Sequence, residues 1–186
     1  VDENLYGKGE YRMFSLQQKV VYPGHGVAQI SRIFEKKFGT MKSLFCELKF
    51  LKKDMTVMVP MDRAHEVGIR ALSSSEHIVT MLAALTVPAR KIDQQELTAS
   101  NWNRRNKEYQ NKLRTGSLKD ISEIYRDLKH ISRYKELSFG EKNLLSKAED
   151  LLVEEISAAD NIQEDSAIER LRSFFIPAML DAHNFM

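Results

Sequence analysis

Apolar positions along this chain follow two different periods, and the change falls near residue 72. From Leu16 to about Arg70 the pattern is one of short strands. In "KVVYPGHGVAQISRIF" apolar and β-branched residues lie on either side of Pro23, Gly24, His25 and Gly26, a turn signal between two strands. "SLFCELKFL" places Leu44, Cys46, Leu48 and Phe50 on one face by strict alternation. A shorter strand, "MTVMVP", follows the turn at Lys53 and Asp54, and "EVGIR" is a candidate fifth. Strands this short and closely connected predict a small, strongly bent antiparallel sheet or partial barrel.

After Ala71 the period becomes helical. Ser73 with Glu76 reads as a capping box ahead of "HIVTMLAAL", and Pro88 forces a break near the end of that segment. A polar connector follows, roughly Ala89 to Ala99. The next helix, from about Asn101 to Thr115, stops at Gly116. Ser117 with Asp120 caps another, in which Leu118, Ile121, Ile124, Tyr125 and Leu128 recur at helical spacing. Ser138 with Glu141 opens a further helix carrying Leu144, Leu145, Ala148, Leu151, Leu152 and Ile156 on one side, and a last one runs through "SAIERLRSFF". The expected fold class is α+β: a small N-terminal β domain over residues 13–72 and a compact C-terminal helical bundle over 73–186. Residues 1–12, "VDENLYGKGEYR", read as a tag remnant or disordered leader and are set aside.

Composition narrows the function classes. A chain of 186 residues holds one domain or two small ones. The single cysteine, Cys46, excludes an internal disulfide and a Cys-Cys metal site, which suits a reducing compartment, with cytoplasm as the default. Its alternation with Leu44 and Leu48 marks it as an inert core thiol. No apolar run approaches the roughly 20 residues that span a bilayer, so no membrane association is expected. The net charge of +2 conceals an uneven distribution. Residues 1–101 carry 14 basic and 11 acidic side chains, 102–135 carry 10 and 4, and 136–186 carry 4 and 11. A basic block between neutral and acidic ones favours a polyanionic partner, although a solvated helix face has a similar composition.

The chain's single tryptophan, Trp102, sits inside that block in "ASNWNRRNKEYQNKL". It either caps a small hydrophobic seam with Tyr109 and Leu113 or forms an exposed wedge beside a phosphate-binding patch. Catalytic signals are absent. There is no glycine-rich phosphate loop and no His-Glu-x-x-His, and the five histidines lie far apart, so neither an enzyme, a cofactor nor a metal site is expected.

The blocks "VVYPGHGVAQI", "TVMVP", "NWNRRNKEYQNKLRTG", "ISEIYRDL" and "LSFGEKNLLSKAEDLL" resemble, in the same order, the CarD/CdnL family of bacterial transcription regulators. The resemblance runs from about Phe14 to Ala159. It implies a Tudor-like β domain that docks on the β-subunit lobe of RNA polymerase, and C-terminal helices that reach promoter DNA at the upstream edge of the bubble. By the same resemblance Trp102 is a wedge entering the minor groove where the duplex opens, and Arg104, Lys107 and Lys142 are phosphate contacts, with Arg105 as a helper or a salt-bridge partner. The polymerase contacts map to Lys36, Phe38 and Met58, with Lys37 adding charge; Met58 stands where some relatives have arginine. DNA binding without sequence specificity and a monomeric state are implied as well. Two alternatives differ in kind: a nonspecific nucleoid DNA binder that acts without polymerase, and an enzyme whose site no motif reveals.

Overall fold

In the computed structural model of the chain, residues 14–38, 41–86 and 99–174 are described. They form an N-terminal antiparallel sheet followed by helices, an α+β arrangement in two compact units that meet between Ala71 and Leu72. The first unit holds β1 (Lys19–Tyr22), β2 (Gly26–Phe38), β3 (Met41–Phe50), β4 (Thr56–Pro60) and β5 (Arg70–Ala71), in the order β4-β3-β2-β1-β5. The sheet is open, with β4 and β5 as its edges among the described residues, in keeping with the expected small antiparallel sheet or partial barrel. The predicted fifth strand is shorter than "EVGIR": only Arg70 and Ala71 pair, with Val21 and Val20.

One irregularity in the register decides which side chains face outward. Between Ile30 and Arg32 the pairing of β2 with β3 shifts by one residue, a β-bulge at Ser31. Because side chains alternate along a strand, the extra residue exchanges the two faces of β2 beyond it. Ile30 and Ile33 both point to the interior with Cys46 and Leu48, while Arg32, Phe34 and Lys36 point away from it. The Ser31 hydroxyl fixes the bulge by donating to Glu47 Oε1 at 2.7 Å. Cys46 is buried, with Sγ 3.6 Å from the Val59 carbonyl oxygen, and burial raises the thiol's pKa.

The second unit contains α1 (Ser75–Thr86), α2 (Ala99–Thr115), α3 (Leu118–Ile131), α4 (Phe139–Asp160) and α5 (Glu164–Ser173). Local chemistry sets most of their ends. Gly116 takes a φ of 64°, the left-handed conformation that ends α2. Ser117 then accepts from the Asp120 N–H to start α3. Ser138 and Glu141 form both halves of a capping box at the start of α4. Helices of this length are marginal alone, and their stability comes from a shared core in which Ile124, Leu128, Leu152, Ile156 and Leu171 are fully buried. Among the described residues no helix is long and apolar enough to cross a membrane.

The cap of α1 falls one residue later than the sequence pattern predicts. Ser74 accepts the hydrogen bond from the His77 N–H, while Ser73 turns inward and donates from both its N–H and its hydroxyl to Glu155 Oε1, at 3.1 and 2.7 Å. Glu155 is buried on α4 and needs donors, and that requirement outweighs the local capping pattern. The break expected at Pro88, the connector that follows it and the N-terminal leader lie outside the described residues.

Candidate nucleic-acid interface

On α2 the positions 102, 105, 109 and 113 recur at helical spacing and face the bundle. Tyr109 and Leu113 are core residues, and Trp102 at the head of the stripe is partly buried, packed against that core and partly open to solvent. The expected seam with Tyr109 and Leu113 is present, and the indole keeps part of its surface open to solvent.

The indole lies against the first turn of α4. A Cβ on Gly140 would stand 3.2 Å from Cζ2 and 3.7 Å from Cε2 of Trp102, so glycine at this position gives the ring its room. Beside it, Phe139 is 82% exposed at the first position of α4. Phe139 is thus an aromatic open to water in the same first turn of α4 as Gly140. Sequence reasoning missed Phe139; the signal was present, because a capping box at Ser138 puts the next residue on an exposed first turn.

Arg104 and Lys107, expected as phosphate contacts, are exposed on α2, three residues apart and off the apolar stripe. Lys142 is half-exposed on α4 and donates to Glu136 Oε1 at 2.7 Å. That pairing draws the Glu136 carboxyl below its usual pKa, yet an ion pair this open to water adds little stability and leaves the ammonium ready to exchange partners.

Of the two roles expected of Arg105, helper or salt-bridge partner, the structure shows an ion pair. The arginine side chain is 2% exposed, and Nη2 donates to Glu141 Oε1 at 3.0 Å, across to a carboxylate that is itself 1% exposed. The reason is positional: residue 105 falls on the apolar stripe, so the guanidinium is carried into the bundle. Its Cζ lies 5.9 Å from the centroid of the Trp102 ring, within cation–π reach. Glu141 also accepts from Lys135 Nζ at 2.9 Å and from the Ser138 N–H at 2.9 Å. Burial alone would raise its pKa, but hydrogen bonds from Lys135 and Ser138 together with the Lys135 charge outweigh it and hold the carboxyl below its usual range. Two of the ten cations in the basic block are therefore spent on one carboxylate, and the outward charge lies on Arg104, Lys107 and their neighbours.

The first unit carries a second candidate surface. By register, Lys36 opposes Ser43, Met58 opposes Glu47 and Phe38 opposes Met41, and these positions share the outer face of the sheet; Lys37 belongs to the opposite face. Along β3 the Lys36 and Met58 positions are four residues apart, roughly 13 Å. Between them Phe34 and Phe45 stack with centroids 6.1 Å apart, Arg32 covers Phe34 at 5.1 Å and Lys36 Nζ lies 5.9 Å from the Phe45 centroid. Met58 is 55% exposed on β4, the edge strand of the sheet among the described residues. The sequence reading did not single out Arg32, Phe34 or Phe45, because their direction depends on the bulge at Ser31. The side chain of Phe38 lies outside the described residues.

Comparison with known proteins assigns a family to each unit. Residues 14–73 match the CarD-like/TRCF RID domain, and residues 90–172 match the family described as CarD, C-terminal domain. A curated protein of Bacillus subtilis (strain 168) named "Putative transcription factor YdeB" is 29% identical over 163 residues, 87% of this chain and 99% of that relative.

Proposed function

Because the chain belongs to the CarD/CdnL family of transcription regulators, we propose that it tethers to the β-subunit lobe of RNA polymerase through its N-terminal unit and stabilises open promoter DNA through Trp102. The carrying observation is the half-open indole on α2 against the first turn of α4, with Arg104, Lys107 and Lys142 supplying positive charge on the same two helices. An apolar wedge gains most at a base step already partly unstacked, and such a step exists only when the duplex is distorted. Tighter binding to the open than to the closed state shifts the equilibrium towards opening. A differential affinity of about 1.4 kcal/mol shifts it tenfold.

The cations neutralise phosphates and orient the wedge without reading bases. Promoter preference then follows from how easily each duplex deforms. On the polymerase side, Lys36, Phe38 and Met58 are the proposed contacts, while Lys37, on the opposite face, adds charge only. With Met58 the contact is made by a polarisable apolar side chain, which suits packing against the lobe better than charge pairing.

The test separates tether from wedge. Lys36→Glu combined with Met58→Glu is expected to abolish stimulation of promoter opening by polymerase while leaving binding to a forked DNA intact. Stimulation that survives this double substitution would point instead to a DNA binder that acts without polymerase.

A further inference from the structure

The Arg105–Glu141 pair is hard to explain as a stabilising device. Exchanging a buried ion pair for well-packed apolar residues is often neutral or favourable. Here the guanidinium also leaves Nε and Nη1 buried without a hydrogen-bond partner. Nor does Glu141 require it, since Lys135 and the Ser138 N–H already satisfy the carboxylate. What the charge does have beside it is the Trp102 ring, at 5.9 Å and three residues back on the same helix. Glu141 follows directly on Gly140, the residue that the indole ring packs against.

We propose that Arg105 is the positioning residue of Trp102: its buried guanidinium, anchored to Glu141 at the head of α4, holds the indole in a single orientation before DNA arrives. The inference rests on the reading of Trp102 as a wedge and adds how that wedge is aimed. A cation held against an aromatic ring in a water-poor site attracts it more strongly than at the surface. The ion pair to Glu141 ties that attraction to the same first turn of α4 that Gly140 opens to the ring. Rotation of the indole away from this position gives up the cation and the glycine contact together. A side chain ordered in advance loses less freedom on binding, which raises affinity for the target without adding a contact to it. Unsatisfied donors at Arg105 are the cost of the arrangement, and a local defect of this kind next to a functional side chain calls for such an explanation.

Trp102 is the chain's single tryptophan, so its fluorescence reports on this site alone. In the full chain, Arg105→Met removes the charge while Glu141 keeps its other partners, and Arg105→Lys keeps a cation. Three quantities are measured: helix content by circular dichroism, acrylamide quenching of Trp102, and the preference of the protein for a forked DNA over a duplex of the same sequence. Arg105→Met is expected to retain its helix signal, to show greater quenching, and to lose about two- to tenfold of the fork preference, the range expected when one side chain is no longer ordered in advance. Arg105→Lys is expected to restore most of both. If Arg105→Met does not fold, Arg105→Gln, neutral but still able to donate to Glu141, replaces it with the same expectations. Unchanged quenching and fork preference in the neutral variant, in the presence of a clear loss for Trp102→Ala, would overturn the positioning role and leave the wedge standing. Full fork preference in Trp102→Ala would overturn the wedge and this proposal with it.

Discussion

Removing either member of the buried Arg105–Glu141 pair should have very unequal effects on stability. Glu141→Ala strands a guanidinium that is 2% exposed and takes its ion-pair partner away. Leaving a buried charge uncompensated in this way costs about 3–5 kcal/mol. The same substitution removes the side-chain half of the capping box, the hydrogen bond that Glu141 accepts from the Ser138 N–H, worth about a further 1 kcal/mol. The total, roughly 4–6 kcal/mol, is a large part of the stability of an ordinary domain, about 5–15 kcal/mol. Arg105→Met is different in kind, because Glu141 keeps Lys135 and the Ser138 N–H. The loss is one charge-assisted hydrogen bond of about 1.5–3 kcal/mol, and it is offset by relief of two buried donors that had no partner. A net cost of about 0–2 kcal/mol follows. Urea unfolding monitored at 222 nm follows the helical unit, since among the described residues the α-helices all lie beyond Ala71. With urea slopes of about 1–3 kcal/mol per molar, a gap of about 4 kcal/mol between the middles of the two ranges separates the two midpoints by about 1 M or more. Equal midpoints, or a lower midpoint for Arg105→Met, would refute the reasoning that Glu141 is independently satisfied and Arg105 is not.

Two further outcomes follow from the same residues. The Glu141 carboxyl titrates below its unfolded value of about 4.3, so its contribution is complete above that pH and is lost as pH falls through the lower folded value; Glu141→Gln, which preserves a capping-box side chain, should flatten the acid side of a stability-versus-pH curve, and an unaltered curve would contradict the assignment. Phe139→Ala, at a site 82% exposed, should leave the free energy of urea unfolding within about 0.5 kcal/mol of wild type yet weaken binding to forked DNA, whereas unchanged binding would place Phe139 clear of the nucleic acid.

The parts of this molecule that depend on neighbours in sequence were readable from the sequence. Gly116 as a stop, Ser117 as a cap and Ser138 with Glu141 as a capping box are interactions within four residues, and each occurs where the residue types predict. The alternation of Leu44, Cys46, Leu48 and Phe50 likewise survives, because β3 has no irregularity. What was missed required a partner far along the chain. The bulge at Ser31 exists in relation to Glu47 on the adjacent strand, and without it Phe34 and Lys36 would be assigned to the wrong face. Ser73 was read as a cap because Glu155, 82 residues away, is invisible to a local pattern. Arg105 is the instructive case. The spacing of 102, 105, 109 and 113 already puts it on the buried stripe, its place in "NWNRR" left a helper and a salt-bridge partner both open, and the carboxylate at 141 decides for the second.

The central claim is that Trp102 holds promoter DNA open. The most direct test is the lifetime of the open complex at a ribosomal-RNA-type promoter under competitor challenge, with polymerase from the source organism and with wild-type protein, Trp102→Ala or no addition. The account predicts a longer lifetime with wild type and the unassisted lifetime with Trp102→Ala. A Trp102→Ala protein that extends the lifetime as far as wild type, or a wild-type protein that leaves it unchanged, would contradict it.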